Sequence, residues 1–223
     1  MKRKQSGFTL IEIAIVLVII GLLLGGVLKG QELINSAKVK NLATDFKNIP
    51  VFIYGYQDKF KALPGDDANA DTHLPGPPAA SKATTGGTIG NGIIEGNWNS
   101  TTPTEETYLF WQHVRMAGLA PGATDPAVPA TYIPTNAVGG KIGVTNSGAG
   151  LPITLPTPLR GSYIVCSDSI AGKFAKQLDT TLDDGNTQTG SLMVVAQGTT
   201  TGGTSIATAA IVDDTTYLVC MGF

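Results

Sequence analysis

The sequence predicts an α+β fold in which a long helix comes first and a small, mostly antiparallel sheet comes last. The first observation is an apolar run without a charged residue from Ile13 to Leu28, followed by helix-spaced apolar positions as far as Phe60. The second is a set of short β-branched segments in the second half, bounded by Gly, Pro, Asn or Asp and not alternating with long helices. We therefore expect the helix to pack against the sheet.

The long helix carries an apolar stripe beyond its first half. Residues at spacings of three and four form this stripe, namely Leu42, Phe46, Ile49, Ile53, Tyr56 and Phe60. Pro50 interrupts the stripe and lacks a backbone donor, so we expect a kink or a restart of the helix over 46–49. The turn Leu63-Pro64-Gly65-Asp66 predicts the end of the helix at about residue 62.

The rest of the chain divides into shorter elements. A second helix is predicted from Pro103 to Ala117, with Thr102 as N-cap and Glu105 as capping-box acid. Its predicted buried face comprises Leu109, Phe110, His113, Val114 and Ala117. Residues 69–99 are predicted to form a long surface loop. The other candidates are strands at 141–146, 162–167, 191–196, 205–213 and 217–221 and a helix at 173–182.

Composition favours an exported, non-enzymatic subunit. The 223 residues suffice for one long helix and one globular domain, and only 14% of them are charged. The formal net charge is −2, and loss of the three basic residues Lys2, Arg3 and Lys4 would change it to −5. An acidic balance of this kind argues against a nucleic-acid partner. We find no nucleophile–base pair, phosphate loop or nucleotide fingerprint in the sequence, so we expect no enzymatic activity.

The N-terminal segment carries the strongest functional signal. Three basic residues precede Gly7, and Phe8-Thr9-Leu10-Ile11-Glu12 then opens the apolar run. A carboxylate near the start of a membrane-length segment is costly and rare, and it marks a functional site by default. Glu12 therefore needs a partner.

Two ordinary alternatives exist for this segment. A secretory signal peptide has a shorter apolar stretch that ends in small residues, a feature that Gly25-Gly26 imitates only weakly. A plain single-pass anchor needs about 20 apolar residues, which 8–28 supplies only if Glu12 is tolerated. The basic leader would hold the N-terminus of such an anchor in the cytoplasm.

The arrangement of Gly7, Phe8 and Glu12 after a basic leader resembles the N-terminal signal of type IV pilins and type II secretion pseudopilins. The resemblance implies cleavage after Gly7 by a prepilin peptidase, N-methylation of Phe8, and pairing of Glu12 with the terminal amine of a neighbouring subunit. It also implies four segments: a leader at 1–7, a transmembrane and filament-core helix at 8–28, an amphipathic half of the spine helix at 29–62, and a globular periplasmic domain at 63–223.

Further motifs resemble a subgroup of pilin-like proteins that carry an LPGD loop and a DDG loop. They are Leu63-Pro64-Gly65-Asp66, the segment Trp111-Gln112-His113 with Ala117-Gly118-Leu119, and the stretch 178–185 followed by Gly190. The partners implied by the family are the prepilin peptidase, other pilin-like subunits, an inner-membrane assembly platform and an ATPase. The implied location is the inner membrane with the N-terminus in the cytoplasm, followed by a periplasmic or cell-surface filament.

Cys166 and Cys220 are the two cysteines of the chain. In an oxidising compartment a disulfide is favoured over a metal pair, and two buried free thiols are the alternative. In type IV pilins a disulfide often fixes the C-terminal segment to the sheet, whereas major pseudopilins usually lack that bond. The position of Cys220 near the C-terminus is similar to the pilin arrangement.

Asp179, Asp183, Asp184 and Asn186 form the one carboxylate cluster worth testing for metal chemistry. Oxygen ligands on a turn that contains Gly185 are suited to calcium, and some pseudopilins hold calcium in a comparable region. The alternative is an ordinary turn in which Asp183 or Asp184 caps backbone amides, with no cofactor at all.

The two histidines are not expected to hold a metal. His113 lacks a second ligand at metal spacing, so we interpret it as a packed, hydrogen-bonded core histidine. His73 lies in a polar loop, where we expect it to be inert.

Three functional classes remain open from the sequence. The first is a structural subunit of a type IV pilus-type filament, and the second is a pseudopilin of a type II secretion system. The third is a periplasmic binding or enzymatic module on an uncleaved anchor, for which Glu12→Leu would leave function intact. A disulfide favours the first class, and a functional calcium site would favour the second.

Overall fold

A computed structural model of the chain describes residues 9–146, 148 and 150–223. The helices are α1 (Leu10–Phe60), α2 (Ala70–His73), α3 (Glu106–Met116), α4 (Pro129–Tyr132) and α5 (Gly172–Leu182). The strands are β1 (Ile142–Asn146), β2 (Ile153–Leu155), β3 (Tyr163–Ala171), β4 (Leu192–Ala196), β5 (Gly203–Thr204) and β6 (Thr216–Gly222). The fold class is α+β, as predicted.

The chain divides into two compact units, Met1–Lys38 and Val39–Phe223. The described part of the first unit is the N-terminal portion of α1. Its large apolar side chains are exposed on every side of the helix. The exposed fraction is 89% for Leu10 and 67% for Leu28. The helix contains an 18-residue window apolar enough to cross a membrane, and none of that window is buried.

Helix α1 continues through Pro50 without a break and ends at Phe60. The predicted restart over 46–49 is therefore wrong, and the end falls slightly before the predicted residue 62. Ile49 and Ile53, on either side of Pro50, are both buried in the same core cluster. These apolar contacts hold the helix in place where the proline removes a hydrogen bond.

In the second unit, four antiparallel strands form a sheet in the order β1-β3-β6-β4. Side chains alternate across this sheet. One face packs on the predicted stripe of α1 and on α5, because Phe46, Val165 and Phe174 belong to one core cluster. The other face is covered by the segment around β2, whose Ile153 lies in a second cluster with Val195.

Most of the predicted short elements match the structure. The strands predicted at 141–146, 162–167, 191–196 and 217–221 correspond to β1, β3, β4 and β6, and the helix predicted at 173–182 corresponds to α5. The strand predicted at 205–213 is wrong, because this segment contains only a short 3-10 helix at Thr208–Ala210. The segment makes single backbone hydrogen bonds to two strands, from Ser205 to Leu155 of β2 and from Ile206 to Val194 of β4, but it forms no strand of its own.

Helix α3 begins later than predicted. It starts at Glu106, and Glu105 at its N-cap makes no side-chain capping hydrogen bond. The Thr102 cap is therefore wrong. Residues Glu106–Arg115 are buried on every side, so the predicted apolar face was too narrow. The surface loop predicted at 69–99 supplies part of this cover, since Ile94 and Trp98 are buried.

Candidate assembly and ion-binding sites

Reciprocal hydrogen bonds between Thr9 and Glu12 cap the start of α1. The backbone N–H of Thr9 donates to Glu12 Oε2 at 2.8 Å, and the Thr9 hydroxyl donates to the same oxygen at 2.7 Å. In return, the backbone N–H of Glu12 donates to Thr9 Oγ1 at 3.3 Å. This is a capping box, which satisfies two of the free donors at a helix N-terminus.

The capping box gives Glu12 a local role that our sequence analysis missed, although the spacing Thr9-x-x-Glu12 is its signature. Both hydrogen bonds that the Glu12 carboxylate accepts go to Oε2, and within the described residues Oε1 accepts no hydrogen bond. The carboxylate is exposed, so one oxygen stays available to an external donor. The predicted cleavage and methylation residues, Gly7 and Phe8, lie outside the described residues.

The predicted bond between Cys166 and Cys220 is present. The two residues lie directly opposite each other on the neighbouring antiparallel strands β3 and β6, with their Cα atoms 4.1 Å apart. Both are fully buried on the sheet face turned away from α1, against Met193 and Leu218. The disulfide therefore fixes the C-terminal strand to the centre of the sheet.

The Leu63-Pro64-Gly65-Asp66 turn is fixed to α3 by His113. The backbone N–H of Gly65 donates to His113 Nδ1 at 2.9 Å, and His113 Nε2 donates to the Ser81 carbonyl oxygen at 2.8 Å. These two partners define a neutral imidazole that carries its proton on Nε2. Burial lowers the pKa of His113, which keeps it neutral. The prediction of a packed, hydrogen-bonded histidine is confirmed.

Glycine is required at the centre of this turn. Gly65 has φ +93°, and a Cβ there would lie 2.4 Å from the Glu106 carbonyl oxygen. A larger residue would be strained and would also collide with the backbone of α3. The turn therefore fixes the end of α1 against α3.

Two buried aspartates, Asp66 and Asp67, make further hydrogen bonds at this turn. Asp66 accepts backbone N–H groups from Gly90, Asn91 and Gly92. Asp67 Oδ2 accepts the Tyr56 hydroxyl at 2.8 Å and lies 2.7 Å from His73 Nδ1. His73 is therefore not inert, because it orients Asp67 and stacks on Phe60. The hydrogen bond from His73 is one of the contacts that lower the pKa of Asp67 against the opposing effect of burial.

The predicted carboxylate cluster follows the end of α5. Ligand atoms of Asp179, Asp183 and Asp184 lie within 4.8 Å of one another. Asp183 Oδ2 accepts the backbone N–H groups of Ser191 at 2.7 Å and Leu192 at 2.9 Å, which is the capping role expected of an ordinary turn. The Asn186 side-chain oxygen accepts the backbone N–H of Gln188 at 3.3 Å.

Asp179 is the unusual member of this cluster. It is fully buried, and neither of its carboxylate oxygens makes a hydrogen bond of good geometry, although the backbone N–H of Gly185 is near enough to oppose part of the rise in its pKa. Burial, followed by the charges of Asp183 and Asp184, raises the pKa of Asp179 to about 7. A buried carboxyl group without partners is costly, so it is expected to be protonated or to bind a cation.

Together these features define a class of protein: an apolar helix long enough to cross a membrane, continuous with an α+β unit that a disulfide closes. The family described as the prokaryotic N-terminal methylation motif matches residues 2–28. This match supports, over the N-terminal segment, the resemblance to type IV pilins and type II secretion pseudopilins, and it does not test the resemblance to the LPGD and DDG subgroup. The motif implies processing by a prepilin peptidase and assembly with other pilin-type subunits. No curated protein and no solved structure shows detectable similarity to the chain.

Proposed function

We propose that the protein is a non-enzymatic structural subunit of a type IV pilus-type filament. A prepilin peptidase removes the leader 1–7 after Gly7, and Phe8 becomes the methylated N-terminus. The match of residues 2–28 to the methylation motif supports both steps. The membrane segment at 8–28, the amphipathic helix at 29–62 and the periplasmic domain at 63–223 then belong to the mature subunit.

The physical basis of assembly is the exchange of one apolar environment for another. Before assembly, the first half of α1 lies in the inner membrane, with the basic leader on the cytoplasmic side and the domain in the periplasm. An assembly platform and its ATPase then extract the subunit. The apolar side chains of residues 10–28 are exposed on every side of the helix, and in the filament they pack against the helices of other subunits.

Glu12 carries the proposal, because it is the one acidic residue within this apolar stretch. Its Oε2 is used by Thr9, while its Oε1 has no partner among the described residues. We infer that Oε1 accepts the terminal amine of Phe8 from an adjacent subunit. The capping box would hold the carboxylate in one orientation, which reduces the entropy lost when that pair forms.

A type II secretion pseudopilin is the alternative function, since it shares the motif and the same membrane-to-filament transfer. The Cys166–Cys220 disulfide favours the pilus subunit, because major pseudopilins usually lack that bond. A periplasmic module on an uncleaved anchor is the more distant alternative, and it requires neither cleavage after Gly7 nor a charge at Glu12.

Maturation provides the direct test. Gly7→Val should block cleavage, because the motif places a residue without a side chain at the scissile bond, whereas Gly7→Ala should be cleaved slowly or almost normally. Intact-mass measurement of protein extracted from membranes, with and without an active prepilin peptidase, distinguishes these outcomes. Wild-type protein that still begins at Met1 in cells with an active peptidase would contradict the proposed function.

We also propose a calcium site at Asp179, Asp183 and Asp184, and calcium binding there would favour the pseudopilin alternative. The observation that favours it is the fully buried Asp179 carboxylate, whose two oxygens make no hydrogen bond of good geometry with the protein. Calcium takes about six to eight oxygen ligands with flexible geometry, and it would offset the mutual repulsion of the three carboxylates. Asp184 has a free oxygen because only its Oδ1 accepts a backbone amide, that of Asn186.

Calcium binding is tested by thermal unfolding of the detergent-solubilised full chain. Calcium at about 100 times its Kd should stabilise the domain by roughly 2.7 kcal/mol and raise Tm by about 5–10 °C. Asp179→Asn should abolish that increase without lowering Tm in chelator, because it removes a buried charge that lacks partners. Asp125→Asn, at an exposed loop position, is the matched control. Equal calcium responses in Asp179→Asn and wild type would rule out the site.

A further inference from the structure

A groove runs beside the second half of α1 in the unit Val39–Phe223. It has a volume of about 160 Å³, and its lining includes Ile49 and Phe52 from α1 and Trp111 and Arg115 from α3. Asp45 lies on the same wall as Ile49. The groove thus combines an apolar floor with one carboxylate and one guanidinium group.

Asp45 is half-buried and makes no hydrogen bond or ion pair with the described residues. Burial raises the pKa of Asp45 to about 6. The lysines nearest to it on the same helix, Lys40 and Lys47, are five residues before it and two after it, so neither faces it. A carboxylate partly removed from water without a donor is unfavourable in the isolated subunit.

Arg115, on the opposite wall, does not neutralise Asp45. Its guanidinium is committed to backbone carbonyls, with Nε 3.2 Å from the Pro121 oxygen and Nη1 2.9 Å from the Ala123 oxygen. It also lies over the Trp111 ring, 5.5 Å from the centroid. No Arg115 nitrogen approaches the Asp45 carboxylate within the 4.0 Å of an ion pair. The groove therefore keeps an unsatisfied negative charge.

We propose that this groove is a docking surface for a second copy of the chain, which brings a lysine or arginine side chain to Asp45. The inference rests on the filament function proposed above. The charged end of the incoming side chain pairs with the carboxylate, and its aliphatic stem lies against Ile49 and Phe52. Both groups lose water in the contact, so the pair sets the register between subunits as well as adding affinity.

Charge complementarity within the chain supports a second copy as the occupant. Five exposed basic residues of the described part make no ion pair with it, namely Lys40, Lys47, Lys59, Lys141 and Arg160. Each can supply the cation that Asp45 lacks. A filament also places the groove of every copy beside the surface of another copy, at a concentration that compensates for a small contact.

The test starts with Asp45→Lys and Asp45→Asn in the full chain. Asp45→Lys should lower the yield of sheared filaments by at least about tenfold, since a like-charge contact costs more than 1.4 kcal/mol. Asp45→Asn should lower it less. Processing after Gly7 and the unfolding midpoint should match wild type or improve. Asp58→Lys, at an exposed position of the same helix, is the control and should assemble normally.

A second experiment identifies the contact. In the Asp45→Lys background, one reversal among Lys40→Glu, Lys47→Glu, Lys59→Glu, Lys141→Glu and Arg160→Glu should restore filaments. The native cysteines are bonded to each other, so single new cysteines can be added. Chains with Asp45→Cys, co-expressed with chains carrying cysteine at the rescuing position, should form a disulfide-linked dimer in filaments.

The possible failures are distinct. If the wild-type chain is not cleaved and makes no filaments, the proposed filament function is refuted, and the docking contact that rests on it is refuted too. If wild type and Asp45→Lys yield equal filaments, only the docking contact is refuted. A loss of filaments in Asp45→Lys that none of the five reversals repairs would likewise refute a partner cation supplied by this chain.

Discussion

Replacing Glu12 by Leu should abolish filaments while leaving insertion and cleavage almost unchanged. The substitution removes a carboxylate from a membrane-length helix, so insertion should be equal or better. Cleavage depends on Gly7 and the basic leader, which the change does not touch. Assembly should fail, because the amine of Phe8 on the next subunit loses its anionic partner. Processing and sheared filaments, measured side by side with wild type, provide the readout.

Two companion variants separate the pairing role of Glu12 from its capping role. Glu12→Asp keeps the charge but shortens its reach, and its filament yield should lie between wild type and Glu12→Leu. Thr9→Val removes the hydroxyl that donates to Glu12 Oε2 but keeps the backbone N–H that donates to the same oxygen. It should therefore assemble with only a modest loss.

Other outcomes for these variants would change the mechanism. Normal filaments from Glu12→Leu would mean that the acid is not an assembly contact, and the proposed pairing would have to be given up. If Thr9→Val lost filaments as completely as Glu12→Leu, closure of the helix end would be the role of Glu12. Pairing between subunits would then be unnecessary to explain its position.

The sequence predicted those parts of the fold that depend on local periodicity. The stripe from Leu42 to Tyr56 is buried as expected, because spacings of three and four place its members on one face of α1. Strands β1, β3, β4 and β6 were found for the same reason, since β-branched residues between turn residues favour extended backbone. The extent of α1 to about residue 60 was predicted, but its uninterrupted course through Pro50 was not, because tertiary packing outweighs the local penalty of the proline.

The polar contacts between distant segments were beyond local patterns. Gly65 and His113 are 48 positions apart, and Asp66 and Gly92 are 26 positions apart. No spacing rule connects such residues, and only the folded backbone brings them together. The capping box at Thr9 and Glu12 is a local contact instead. Its signature, a threonine followed three residues later by a glutamate, is present in the sequence.

The disulfide was predicted from compartment and resemblance, and the structure adds the reason for its place. Cys166 and Cys220 are cross-strand partners at the centre of the sheet, and Val165 and Val219, their neighbours along the strands, face the opposite side, towards α1. The bond joins Cys220 in the last strand to Cys166 in β3, which lies 54 positions earlier in the chain. It therefore adds a covalent restraint to a C-terminal strand that strand pairing and apolar packing also hold.

Removal of this bond should destabilise the domain more than any other single change proposed above. In the chain-entropy account, closing a loop of this length contributes about 4 kcal/mol, and we expect Cys166→Ser to cost roughly 2–5 kcal/mol. Serine adds a buried hydroxyl, so the paired change Cys166→Ala with Cys220→Ala isolates the bond itself. Both tryptophans lie in the unit Val39–Phe223, so their fluorescence during urea unfolding reports its stability.

Thiol labelling provides the complementary measurement. Both cysteines are fully buried, so a reductant should reach the bond only when the domain opens. Under non-reducing denaturation the periplasmic protein should take up no alkylating reagent, and after reduction it should take up label on both cysteines. Label on both thiols before reduction would mean that the bond does not form in the cell. The argument for a pilus subunit over a secretion pseudopilin would then lose its structural support.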